Sequence, residues 1–127
     1  MKYTIPFACV SKSRPRVTRN GQHTYMPKPY QEWRTAVRNE VTAQGIDQAL
    51  FDAKLRLGAI MSFKGLGRGD IDNYVGGIMD ACNGLLYADD KQIKELHAVV
   101  LTKQKYTTFE FTLEAIDEMS ALPRSTG

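Results

Sequence analysis

The chain has 127 residues, of which 43% are hydrophobic and 24% are charged. These values are ordinary for a single globular domain that has a modest core of its own. No apolar stretch approaches the roughly 20 residues of a membrane span, and Pro6 breaks a start that is too short for a signal peptide. Cys9 and Cys82 lack CxxC spacing, which argues against a disulfide framework or a zinc site and indicates buried thiols in a reducing cytoplasm.

Charge is distributed unevenly along the chain. Residues 1–40 contain eight Lys or Arg and two Asp or Glu, a net charge of +6. Residues 41–127 contain nine and twelve, a net charge of −3. A basic N-terminal region followed by a carboxylate-bearing remainder suits a protein that binds phosphates and places a metal ion beside them. The alternative is a solvated surface whose charges are uneven by chance.

The first 25 residues predict a strand followed by a hairpin. Residues 2–10 alternate loosely between apolar and polar side chains, as a strand does. Asn20-Gly21 favours a two-residue turn with positive φ, flanked by short strands at 16–18 and 23–25.

A helix and a buried strand follow the hairpin. Pro29 can open the helix and Gly45 can end it. The apolar stripe of this helix is typical of a core-facing surface and consists of Tyr30, Trp33, Val37 and Val41. After a loop at 46–52, residues 53–63 predict a half-buried strand, because every second side chain is apolar: Leu55, Leu57, Ala59, Met61 and Phe63.

The remaining elements are a second helix and two strands. The helix is predicted over residues 73–86, and the strands over 92–103 and 107–115. Gly76-Gly77 should weaken this helix by roughly 1 kcal/mol per glycine, so either another segment approaches closely there or the helix is distorted. The domain is expected to end near residue 117, with a disordered tail at 118–127.

Two aspartates before the second helix predict a cation site. In an extended segment, Asp70 and Asp72 would project to the same side with Ile71 turned inward, their Cα atoms roughly 6.5–7 Å apart. Mg²⁺ prefers such oxygen ligands and keeps waters that phosphate oxygens can replace. The alternative is that Asp72 or Asn73 simply caps the helix.

A second acidic pair, Asp89-Asp90, lies one helix later. A strand, a helix and a returning segment can bring it beside the first pair, where unneutralised carboxylates would repel each other. A bound cation removes that repulsion, although a polar turn is the simpler alternative. The basic residues directly before Asp70 and the basic N-terminal region of the chain favour the metal site.

The segment DIDNYVGGIMDACNGLLYADDKQI, residues 70–93, resembles the signature of the RusA family of Holliday junction resolvases. The N-terminal SKSRPR before a short hairpin, with Tyr25 and Pro27 before a helix, is also similar to that family, and the resemblance covers about residues 3–115. The shared signature residues are Asp70, Asp72, Asn73, Asp80, Ala81, Asn83, Gly84, Asp89, Asp90, Gln92 and Ile93.

The resemblance implies a homodimeric α+β domain with two main helices on a mixed or antiparallel sheet. It implies resolution of four-way DNA junctions with Mg²⁺ or Mn²⁺, and its catalytic and metal-binding aspartates correspond to Asp70, Asp72 and Asp90. One position departs from the family pattern. Gly76 stands where the family usually has a lysine that helps at the scissile phosphate, and Lys64, Arg68 or Lys91 are candidates to replace it.

The sequence therefore predicts a metal-dependent endonuclease that nicks branched DNA in pairs during recombination and repair. Three alternatives stay open: a nuclease for flap or other branched DNA, a junction-binding protein without catalysis, and a cation-binding structural domain. Mg²⁺-dependent nicking and salt-dependent DNA binding distinguish them. The residues expected to contact DNA phosphates are Lys12, Arg14, Arg16, Arg19, Lys28, Lys64 and Arg68.

Overall fold

A computed structural model describes residues 1–116 and gives an α+β domain, as predicted. The predicted tail at 118–127 lies outside the described residues. Neither helix in the described part of the chain is long and apolar enough to cross a bilayer. The elements are β1 (Lys2–Ile5), β2 (Arg16–Val17), β3 (Thr24–Tyr25), α1 (Lys28–Gln44), β4 (Leu55–Ser62), α2 (Ile71–Cys82), β5 (Ile93–Leu101) and β6 (Thr108–Ala115).

Four strands form a mixed sheet in the order β1-β6-β4-β5. β6 is antiparallel to both β1 and β4, whereas β4 and β5 are parallel. Parallel neighbours need a crossover connection, and α2 lies within the one that joins β4 to β5. The loop after β4 and the start of α2 therefore lie at the same end of the sheet.

The core lies between one face of the sheet and the two helices. β4 alternates as predicted, and its buried side chains are Leu55, Leu57, Ala59 and Met61. They pack with the apolar stripe predicted for α1, all of which is buried: Tyr30, Trp33, Val37 and Val41. Cys9 and Cys82 are buried free thiols, and burial raises the pKa of each to about 12.

The strand predicted over residues 2–10 ends early, at Ile5. Pro6 has no amide hydrogen to continue the ladder, and Ile5 is the last residue paired with β6. The chain then leaves the sheet and runs beneath the helices, where Ala8 accepts a hydrogen bond of 2.9 Å from the Trp33 indole. Leaving the sheet lets the following residues pack against α2.

The hairpin is present, but the predicted two-residue turn is wrong. β2 ends at Val17 and β3 begins at Thr24, so six residues separate the strands, and within them the Thr18 amide donates to the His23 carbonyl at 2.8 Å. Within this loop only Gly21 has a positive φ, of 74°, and the Asn20 side chain accepts from the Gln22 amide at 3.2 Å. The Asn20 contact stabilises the wider loop, which the Asn-Gly pair alone did not indicate.

Polar contacts join the two helices at Asp80. The carboxylate of Asp80 accepts from the Tyr30 hydroxyl at 2.8 Å and pairs with Arg34 at 3.1 Å. Burial, with this carboxylate nearby, raises the pKa of Tyr30. Arg38 donates to two carbonyl oxygens at the end of α2, where a cation is favourable. Asp80 thus has a structural role that fixes α1 against α2.

Gly77 in α2 has a packing cause, which is one of the two alternatives that the glycine pair left open. A Cβ at Gly77 would lie 2.3 Å from the carbonyl oxygen of Val10, so only glycine lets the N-terminal segment approach so closely. The backbone amide of Lys12 donates to the Asn73 carbonyl at 2.9 Å and anchors that segment to the first turns of α2. A Cβ at Gly76 would instead meet only the Lys12 side chain, at 3.4 Å.

Candidate functional site

Asp70 is the N-cap of α2. Its carbonyl accepts from the amides of Asn73 and Tyr74, both at 3.1 Å, and this pattern begins the helix. Its carboxylate makes no capping hydrogen bond, although aspartate at this position commonly does. The carboxylate is therefore exposed and available at the positive end of the helix dipole.

Asp72 lies inside the first turn of α2, so the predicted extended geometry is wrong. The helix begins at Ile71, two residues earlier than predicted, because Asp70 caps it. Successive helical residues are rotated by about 100°, so Asp70 and Asp72 do not project together as strand residues would. Ile71 is 43% exposed and does not turn inward. Both carboxylates nevertheless remain exposed at the start of one helix.

Asp89 has a structural role that separates it from Asp90. Its carboxylate accepts from the Lys91 amide at 2.9 Å, and its own amide donates to the Gln92 side chain at 3.0 Å. This capping box begins the 3₁₀ turn Asp90–Gln92. The Lys91 amide holds the pKa of Asp89 below its usual range. Asp90 takes no part in the box, which favours it over Asp89 as a functional carboxylate.

The predicted three-carboxylate cluster is not assembled within this chain. Among residues 1–116, no group of three or more His, Cys, Asp or Glu is arranged to hold a metal. The Tyr87 hydroxyl, hydrogen-bonded to the Met79 carbonyl at 2.7 Å, holds the segment before Asp90 against the second half of α2. Met79 lies seven residues beyond Asp72, about 10 Å along the helix axis.

The donor chemistry at the start of α2 still fits Mg²⁺. Asp70 and Asp72 offer exposed carboxylate oxygens without a competing ion pair among the described residues. Protein sites commonly hold Mg²⁺ through one or two carboxylates, with waters and substrate phosphates as the other ligands. The pair therefore suits a cation that a phosphate helps to bind.

Comparison with known proteins decides the family. The family model described as endodeoxyribonuclease RusA matches residues 6–113. The chain belongs to the RusA family. Membership implies a Holliday junction-resolving endonuclease, and thus a hydrolase that acts on DNA. Among curated proteins, no sequence matches this chain.

The basic residues predicted to contact DNA in this RusA-family chain are all exposed and make no ion pair within residues 1–116. The loop after β4, which leads directly to Asp70, carries Lys64 and Arg68. Arg14, Arg16 and Arg19 lie in the β2–β3 hairpin and the segment before it. Lys12 is in the N-terminal segment that packs against Gly76 of α2, and Lys28 is the first residue of α1.

The β5–β6 turn lies beside the basic loop, although none of its residues was predicted from the sequence to contact DNA. The amide of Lys103 donates to the Gly65 carbonyl at 3.0 Å, and the Lys64 amide donates to the Thr107 hydroxyl at 2.9 Å. These bonds set Lys103 and Lys105 beside the basic loop of the RusA domain. The basic and aromatic composition of this turn was a signal, but its partner loop lies some forty residues earlier.

Proposed function

We propose that this chain is a Mg²⁺- or Mn²⁺-dependent endonuclease that resolves four-way DNA junctions by paired nicks. The observation that carries the proposal is the start of α2, where the exposed Asp70 and Asp72 adjoin a basic loop in a RusA-family fold. Carboxylates that follow a basic loop suit phosphodiester chemistry, because the cations attract the DNA backbone while the carboxylates attract metal.

Asp70 and Asp72 would hold the metal, with Asp90 as the third carboxylate of the catalytic set. When bound, such an ion lowers the pKa of a water molecule and offsets charge on the phosphate. Asp90 enters this set through the family resemblance, supported by the commitment of Asp89 to the capping box. The chain supplies the carboxylates at a helix start whose backbone is already fixed by hydrogen bonds to Asp70.

The β2–β3 hairpin is proposed as a basic arm that grips the DNA backbone. Its strand residues are all exposed, including the apolar Val17 and Tyr25, so the arm does not pack into the core. Arginine contacts to phosphates position DNA without reading its sequence. The arm would act together with Lys28, Lys64 and Arg68 on the same substrate.

A homodimer is proposed because a four-way junction and a C₂ dimer share two-fold symmetry, so that two sites can cut opposite strands. β5 is an edge strand of the sheet, and its Val99 and Leu101 lie with Ile60 of β4 on the sheet face opposite the helices, where all three are exposed. Apolar side chains on an unpaired edge are a surface that a second copy would cover.

Cleavage of end-labelled substrates tests the proposed specificity. A synthetic four-way junction, a flap and a linear duplex of the same sequence are compared with Mg²⁺ and with EDTA. The proposal expects Mg²⁺-dependent cuts at related positions on opposite strands of the junction and little cutting of the other two substrates. Equal or faster cutting of the flap would favour the alternative nuclease, and binding without cutting would favour the junction-binding protein.

The basic arm makes a prediction about salt dependence. Replacing Arg14 and Arg16 together with alanine should weaken binding to every DNA shape and flatten the plot of log affinity against log salt concentration. Each phosphate contact contributes about 0.9 to the slope on duplex DNA, so a loss of up to ~1.8 is expected. Fluorescence anisotropy over a salt series measures it. Lys94→Ala, an exposed lysine on β5, is the matched control. An unchanged slope in the double variant would show that the arm does not contact DNA.

A further inference from the structure

The side chain of Lys12 covers Gly76. Its Cβ and Cδ lie 3.4 and 3.5 Å from the position that a Cβ at residue 76 would occupy. Both distances are close to van der Waals contact, so the aliphatic part of the lysine runs along the helix surface. Lys12 is exposed as a residue, and the ammonium group of such a lysine extends into water while its stem covers the surface.

This placement sets Lys12 on the acidic stripe of α2. Residues four apart on a helix are neighbours, so Asp72, Gly76 and Asp80 follow one another along one side. Asp80 is already engaged by Tyr30 and Arg34. Asp72 is exposed and has no ion pair within the described residues, and the Lys12 stem lies over Gly76, one helical turn after Asp72.

The backbone holds Lys12 in place. Its amide donates to the carbonyl of Asn73, the residue after Asp72. Glycine at position 77 permits this contact, because the carbonyl oxygen of the nearby Val10 lies where a side chain at residue 77 would be. Lys12 makes no ion pair within residues 1–116, so its ammonium group is available to an anion that arrives at the carboxylates.

We infer that Lys12 is a catalytic residue whose ammonium group contacts the phosphate that is cut. The inference rests on the proposed nuclease function. In hydrolysis a water oxygen forms a bond to phosphorus, the bond to one sugar oxygen breaks, and that oxygen takes up a proton as water loses one. Negative charge grows on the phosphoryl and leaving oxygens, and a fixed ammonium donor stabilises it. Lys12 thereby supplies from the N-terminal segment a cation that α2 lacks at Gly76.

Lys12→Met tests the inference, since methionine retains an unbranched stem over Gly76 and removes the charge. The single-turnover rate at saturating protein should fall by about 10²-fold, comparable to the loss of one charge-stabilising donor. Lys12→Arg should retain more of the rate than Lys12→Met. Lys94→Met removes an exposed charge on β5 that belongs neither to the basic residues nor to the carboxylates of the proposed site, and it should cleave at the wild-type rate. A wild-type rate in Lys12→Met would overturn the inference.

A second readout does not depend on turnover. The cut phosphate is first mapped with the wild-type protein, and a neutral methylphosphonate is then placed there in the junction. Without metal, this replacement should weaken binding to the wild-type protein and have little further effect on binding to Lys12→Met. An equal loss in both proteins would show that Lys12 contacts another part of the DNA, and would overturn the inference.

The space over Gly76 allows a rescue. In the Lys12→Met background, Gly76→Lys places an ammonium group on the same stripe of α2 and should recover at least tenfold of the lost rate. A wild-type protein that cleaves no DNA would overturn the proposed function together with this inference. A wild type that cleaves junctions, combined with a Lys12→Met variant that cleaves equally fast, would overturn the role of Lys12 alone.

Discussion

Asp70→Asn and Asp72→Asn should each reduce junction cleavage by roughly 10³-fold, while the affinity for the junction in the absence of metal changes little. Each change removes a carboxylate proposed to hold the cation, whose stabilisation of charge amounts to several kcal/mol, and each factor of ten in rate corresponds to about 1.4 kcal/mol. The exposed basic residues are untouched. Single-turnover cleavage and metal-free anisotropy measure the two effects separately. Either variant cutting at the wild-type rate would remove that residue from the site.

Asp90→Asn should lose cleavage in the same way, and Asp89→Asn is its matched control. The Asp89 carboxylate begins the 3₁₀ turn by accepting from the Lys91 amide, and asparagine keeps an oxygen that can accept this bond, so Asp89→Asn should leave both the turn and the cleavage rate unchanged. The reverse result, with a fast Asp90→Asn and an inactive Asp89→Asn, would exchange the two roles. This comparison matters because the described chain does not bring Asp90 into a ligand cluster with the first pair.

Gly77→Ala should destabilise the protein strongly, whereas Gly76→Ala should not. A methyl group at 77 would lie 2.3 Å from the backbone carbonyl of Val10, which cannot move without detaching the N-terminal segment from α2. The cost of such overpacking is about 1–3 kcal/mol, only partly offset by the ~1 kcal/mol that alanine gains over glycine in a helix. A methyl group at 76 meets the flexible Lys12 stem at 3.4 Å, so Gly76→Ala should be neutral or stabilising.

Urea denaturation of both variants measures the difference in the free energy of unfolding. The two glycines are adjacent in one helix, so helix propensity is matched and only the close approach differs. Equal stability of the two variants would contradict the packing of residues 10–12 on α2. Gly77→Ala should also slow cleavage in whatever fraction stays folded, because it displaces the segment that carries Lys12.

The sheet and α1 were predictable because their burial follows local periodicity. Every second residue of β4 is buried, and the apolar stripe of α1 packs on the core at helical spacing, so the apolar pattern alone predicts both elements and their buried faces. Ends of elements were less predictable. β1 ends at Ile5, directly before Pro6. α2 begins at Ile71 because Asp70 is its N-cap, whereas the apolar periodicity placed the start at residue 73.

The geometry of the site depends on contacts between distant residues, which periodicity does not record. Asp70 and Asp72 were predicted to share one face of an extended segment. Because α2 begins at Ile71, they instead occupy different positions around a helix. The hydrogen bond from Tyr87 to Met79 fixes where the chain returns towards Asp90. The contact of Lys12 with Gly76 joins two segments that no local pattern connects, and the glycine pair alone left open whether a segment approaches closely or the helix is distorted.

We propose that this RusA-family chain cuts both strands of a junction together in a metal-dependent reaction. A supercoiled plasmid that extrudes a cruciform tests it most directly, since paired nicks across the junction convert the circle to linear DNA and single nicks only relax it. Purified protein should linearise the plasmid with Mg²⁺, should not do so with EDTA, and should leave a control plasmid without the inverted repeat intact. Nicked circles alone, cutting of the control plasmid, or linear product in EDTA would contradict the claim.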